Sequence, residues 1–182
     1  MKHLEPLRQK IRNAPLVKNI SGWNLITSIA VGGLRSVGFD RHTDLLLVVS
    51  SQGRGLIDCL SGKKSARDYE EYYEREEHLE AEGIGLLQSK IIQMTGLFGG
   101  GLPLITEDDW SIKVICLDWP IEEVLISPPG SYLYGSTHNH TDHFEKVFSD
   151  SWIRAVGFSH SGQSFIIATT SDITIYGRVV RE

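Results

Sequence analysis

Four residues within the run THNHTDH at 137–143 carry side chains suited to one kind of chemistry: His138, His140, Asp142 and His143. Imidazole nitrogens and a carboxylate at this spacing are donors that zinc accepts. A zinc-bound water loses its proton near neutral pH and becomes a hydroxide nucleophile. Zinc is therefore the cofactor this loop could hold. A second set acts through charge. Between Arg67 and Glu82 there are eight acids (Asp68, Glu70, Glu71, Glu74, Glu76, Glu77, Glu80 and Glu82) and two bases (Arg67 and Arg75), in a chain whose net charge is −5. Such a segment repels nucleic-acid phosphates and attracts a basic protein from a distance. No nucleophile elbow occurs, and Gly99-Gly100-Gly101 lacks the Gly-Lys-Ser/Thr that would make it a phosphate loop.

Periodicity indicates the elements that hold these residues. Ser65 followed three residues later by Asp68 has the capping-box arrangement, helix formers continue, and Gly83 can end the run, so a helix is expected over 65–83. Tyr69, Tyr72, Tyr73 and Leu79 would form its buried stripe. Its acids, Glu70, Glu71, Glu74, Glu77 and Glu80, would then face a partner, with Tyr73 as an aromatic anchor. The histidine run lies in an insertion over 135–150.

Around both segments the chain alternates apolar and polar residues in a spacing that recurs. Leu34, Val37, Phe39, Asp40, Thr43 and Leu46 set the pattern. Ile121, Val124, Ile126, Ser127, Gly130 and Leu133 repeat it, as do Ile153, Val156, Phe158, Ser159, Gly162 and Phe165. Alternation makes half-buried strands, and the polar step between them makes a turn from which the next strand pairs back. The expected fold is mainly β, with antiparallel sheets built from about three repeated hairpin units, propeller-like or a sandwich. A short helix before Pro15, with Leu4, Leu7 and Ile11 on one face, and a strand within Ile20–Val31 precede the first unit. Residues 84–101 fit either a helix or a strand. A hairpin turning at Glu107-Asp108-Asp109 should use Trp110 and Trp119 for core or edge packing.

Three resemblances attach to these residues. The segments FDRHT, ISPPG and FSHSG resemble the turn that precedes a strand in the blades of WD-type β-propellers, although no Trp-Asp dipeptide closes a unit. The string THNHTDH resembles the THxHxDH signature of metallo-β-lactamase-fold hydrolases, which implies zinc ligation by His138, His140, Asp142 and His143 and a metal-dependent hydrolysis. In that family further ligands lie downstream, whereas His160 is the only histidine after His143 here. In size and acidity the chain resembles the immunity proteins of bacterial toxin systems, which implies a basic nuclease toxin as partner.

A chain of 182 residues is expected to form a single β-rich domain carrying the acidic helix as an insertion. No apolar run approaches a membrane span, and the first residues lack the apolar stretch of a signal peptide, so a cytoplasmic protein is expected. Cys59 and Cys116 could pair, but that compartment favours buried free thiols. The sequence thus points to a non-enzymatic immunity or antitoxin-type inhibitor that uses an acidic surface, with no direct nucleic-acid or membrane contact. The alternative is a metal-dependent hydrolase built on the histidine run.

Overall fold

The computed structural model describes residues 4–134 and 141–179. In chain order the elements are α1 (Glu5–Asn13), β1 (Trp23–Ala30), β2 (Leu34–Phe39), β3 (Leu45–Ser50), β4 (Gly53–Asp58) and β5 (Lys63–Asp68). Three short strands come next, β6 (Glu80–Glu82), β7 (Ile91–Gln93) and β8 (Thr95–Gly96). The chain continues through β9 (Ser111–Asp118), β10 (Ile121–Ser127), β11 (Glu145–Asp150), β12 (Ala155–Phe158), β13 (Ser164–Ala168) and β14 (Asp172–Arg178). All strand pairs are antiparallel, and the protein is mainly β, as its alternation predicts. No helix among the described residues is long and apolar enough to cross a membrane.

The chain divides into two compact units, each made of two separate segments. One comprises residues 1–21 and 104–152. Its sheet runs β11-β10-β9, and Leu125 from the central strand packs with Leu133, Phe144 and Ile11 of α1. The helix forms where expected: Pro6 occupies its first turn, and Leu7 and Ile11 give it one apolar face. The expected turn before Trp110 is also present, closed by hydrogen bonds from Thr106 N–H to the Trp110 carbonyl and from Asp109 N–H to the Thr106 carbonyl. Trp119 is 87% exposed and so does not pack in the core.

The second unit comprises residues 22–103 and 153–182. It holds a four-stranded sheet in the order β1-β14-β13-β12 and a five-stranded sheet in the order β5-β4-β3-β2-β8. Apolar residues on facing sides of the two sheets form one core, with Ile29, Ile166, Ile173 and Ile175 meeting Val37, Leu46, Val48 and Ile57. The opposite face of the five-stranded sheet is covered by the chain between β5 and β8, whose Tyr72, Ala81, Leu87 and Ile92 pack on Leu47, Val49 and Leu56.

Two of the three recurring units are hairpins of this kind. Asp40 N–H donates to the Leu45 carbonyl to close the turn from β2 to β3, and Ser159 N–H donates to the Ser164 carbonyl in the turn from β12 to β13. The third departs from the pattern: β10 ends at Ser127, Pro128 to Ser131 form a turn, Leu133 belongs to no strand, and the strand that pairs back on β10 is β11, which begins only at Glu145.

The expected helix over 65–83 is not formed. Its first residues belong to β5, which pairs with β4 so that Arg54 stands directly opposite Asp68. The Arg54 guanidinium donates to Asp68 at 2.6 and 3.1 Å, while the second Asp68 oxygen accepts from the Glu70 N–H and turns the chain out of the strand. The carboxylate expected to cap a helix ends a strand. From there to β6 the backbone is irregular except for a three-residue 3-10 turn at Glu76–His78. A helix would have aligned the acids along one rod against its own dipole. The irregular path instead brings Asp68 and Glu76 to arginines on the sheet.

Candidate functional site

The acidic segment leaves β5 at Asp68 and returns at β6, lying on the outer side of the five-stranded sheet with Tyr72 as its buried anchor. The Tyr72 hydroxyl accepts from the Glu82 N–H at 2.9 Å, and the Arg54 guanidinium sits 4.3 Å from its ring centroid. Four acids of the segment meet arginines within the fold. Asp68 pairs with Arg54, Glu76 with Arg35 of β2 at 2.5 Å, and Glu80 and Glu82 with Arg75 at 3.1 and 3.9 Å. Burial raises the pKa of Glu76 above the ordinary glutamate value, against the pull of Arg35. For Asp68, the bond from the Glu70 N–H and then the Arg54 side chain hold its carboxyl below the ordinary aspartate value.

The remaining sequence-selected acids face solvent. Glu70, Glu71, Glu74 and Glu77 are exposed, and none of them pairs with a lysine or arginine among the described residues. Two aromatic rings stand with them. Tyr69 is 80% exposed, and Tyr73 is 52% exposed with Arg35 stacked 4.3 Å from its centroid. A hydrogen bond to Glu71 raises the Tyr73 pKa above the ordinary tyrosine value. The surface is therefore acidic, partly aromatic, and backed by arginines that hold it in place. Of the six residues expected to meet a partner, Glu80 is the one the fold engages in an internal ion pair. The supporting Arg35 and Arg54 carried no local signal, since both lie outside the acidic run and reach it only through strand pairing.

The histidine run is split by what the structure describes. His138 and His140 lie outside the described residues. Asp142 and His143 lie within them, in the first unit, and His143 is exposed. The Lys10 ammonium of α1 stands 2.8 Å from the Asp142 carboxylate and donates to its backbone carbonyl at 3.0 Å. A carboxylate neutralised by an ammonium is a weaker donor to a cation. No three metal-ligating side chains gather among the described residues. Both thiols are free; Cys59 is buried as expected, whereas Cys116 on β9 is exposed, because it points from the outer side of an edge strand.

His42 and His160, which belong to the turn segments FDRHT and FSHSG, line one cleft of about 520 Å³ in the second unit. Its floor includes Asp40, 3% exposed, which accepts from Lys90 at 2.9 Å and from the Thr43 hydroxyl at 2.8 Å. Burial raises the Asp40 pKa, but these bonds and one from the His42 N–H outweigh it, so the carboxyl stays below the ordinary aspartate value. The one buried carboxylate of this cleft is thus tied to Lys90 and is not itself a free base.

The fold and the exposed acidic surface define a mainly β protein built of antiparallel sheets. No protein-family model matches the sequence, and no curated protein is similar to it.

Proposed function

We propose that the protein is a non-enzymatic binding protein that engages a basic protein partner through the segment between β5 and β6. The observation that carries this reading is the exposure of Glu70, Glu71, Glu74 and Glu77, paired with no lysine or arginine among the described residues, beside the rings of Tyr69 and Tyr73. Exposed carboxylates steer a cationic partner and raise its association rate, and large rings with few rotatable bonds supply contact area at small entropic loss. A basic nuclease is the partner class that fits best, because exposed carboxylates can occupy the places of its substrate's phosphates. Inhibition of such a toxin in the cytoplasm is the corresponding role.

The test is a triple reversal, Glu70→Lys, Glu74→Lys and Glu77→Lys, measured against a purified basic nuclease over a salt series. The three sites lie on exposed backbone, so the fold should survive the change. Affinity should fall by at least about tenfold at low salt, and the salt dependence should flatten. Unchanged affinity with unchanged salt dependence removes this segment from the binding surface.

A further inference from the structure

A second pocket in the same unit has a different character. It encloses about 280 Å³ between the end of β1 and the core-facing side of β3, β4 and β5. Its floor is apolar, formed by Ile29, Val48 and Ile57. Its rim carries Lys64, Arg67 and Tyr69, and no acidic residue lines it among the described residues. Three features indicate that the space is made rather than left over.

The first is a glycine. Gly55 occupies β4, inside the five-stranded sheet, where it stands opposite Val48 on one side and Arg67 on the other. Its backbone is not left-handed, and a Cβ there would meet only the Arg67 guanidinium, at an ordinary 3.6 Å. Neither strain nor crowding requires glycine at this position, and a glycine inside a strand otherwise weakens it. What the missing side chain provides is room.

The second is a register shift. Residues 64 and 67 are an odd number apart and would point to opposite faces of a regular strand. A bulge between the Leu56–Ala66 and Ile57–Lys64 pairs places Lys64 in the same row as Ile57, so both cations sit on the face that bears Val48 and Ile57. The third is their lack of counter-ions. Neither Lys64 nor Arg67 is in a salt bridge among the described residues. Arg67 is aimed by a bond to the Gln52 carbonyl at 2.7 Å and by stacking 5.0 Å from the Tyr69 ring.

We propose that this pocket binds a small amphiphilic carboxylate, with the apolar tail against Ile29, Val48 and Ile57 in the space left by Gly55 and the carboxylate between Lys64 and Arg67. The volume corresponds to about nine water molecules, room for a ligand of about ten non-hydrogen atoms. It lies at the small end of ligand pockets, and an apolar floor with a few convergent polar groups is their usual make-up.

The test uses octanoate as probe, with 1-octanol and acetate as its neutral and tail-less counterparts, titrated calorimetrically into the whole chain. Octanoate should bind with a dissociation constant of about 0.1–1 mM, and each counterpart at least about tenfold more weakly. Gly55→Val fills the pocket from below and should abolish binding without lowering the unfolding temperature. Lys64→Gln with Arg67→Gln leaves the floor intact and should weaken octanoate about tenfold while leaving 1-octanol unchanged. Failure of octanoate to bind the parent at about 10 mM overturns the proposal. So does binding that survives Gly55→Val. If the parent binds no octanoate and the lysine-arginine double variant aggregates, the two cations are guards of the exposed β5 edge and not a ligand site.

Discussion

Asp44 offers the most direct test of how the second unit is held together. It sits in the turn before β3, is 8% exposed, and reaches the turn between β12 and β13. One carboxylate oxygen accepts from the Ser164 hydroxyl at 2.6 Å and the other from the Ser161 hydroxyl at 2.8 Å. A hydrogen bond to a charged acceptor contributes about 1.5–3 kcal/mol net, and a buried donor left without a partner loses a comparable amount. Ser161 has the Ser159 hydroxyl 3.1 Å away as a substitute, whereas Ser164 is fully buried and its hydroxyl is committed to Asp44. Asp44→Ala should therefore destabilise the protein by about 2–4 kcal/mol, a fall of about 5–15 °C in Tm. Asp44→Asn keeps an acceptor and should lose only about 1 kcal/mol. Denaturant unfolding of Asp44→Ala, Ser164→Ala and the double variant measures the coupling directly, expected at about 1–2 kcal/mol. An Asp44→Ala protein within about 0.5 kcal/mol of the parent, or strictly additive single effects, would falsify this account of the link.

Other parts of the molecule yield equally definite expectations. Lys146 and Glu123 form a buried pair at 2.8 Å in the first unit, so Lys146→Met should cost about 3 kcal/mol by stranding the carboxylate, and adding Glu123→Leu should recover most of it in chemical denaturation. The folded-state pKa values of Asp40 and Asp68 lie below the ordinary 3.8, so their contribution is fully present above about pH 4 and is lost as pH falls through the depressed values. Acid unfolding followed by tryptophan fluorescence should show this loss, and Asp68→Asn should make the pH dependence shallower; an identical curve would contradict the assignment. Burial raises the Cys59 thiol far above its ordinary value, first by desolvation and then through Asp44 and Asp58. A thiol reagent should modify Cys116 alone in the native protein and both cysteines after unfolding.

Local patterns carried much of the fold. The recurring apolar positions in Leu34–Phe39 and Ser164–Ala168, and the polar turns beside them, were readable because a hairpin is encoded by neighbours. The apolar spacing ahead of Pro15 likewise located α1. The acidic segment was misread because tyrosines at 69, 72 and 73 satisfy a helical stripe equally well when only Tyr72 is buried. The deciding partners, Arg35 and Arg54, lie on strands paired within the five-stranded sheet, and propensity yields to such pairings. The same limit applies to the pockets. The charges of Lys64 and Arg67 are visible in the sequence, but the bulge that turns both to one face exists only once β4 and β5 have paired.

Pairing between β1 and β14 has a consequence for biosynthesis. Trp23 lies opposite Arg178 and Ala30 opposite Asp172, so the first strand of this unit takes its place beside one of the last. A ribosome adds roughly 5–20 residues per second, which leaves β1 waiting on the order of ten seconds for its partner to emerge. Throughout that interval the strand offers unsatisfied backbone groups and the side chains of Trp23, Leu25 and Ile29 to neighbouring nascent chains. A polysome translating this message is thus where the molecule is most exposed to mispairing, and holdase availability should govern its yield more strongly than the stability of the finished fold.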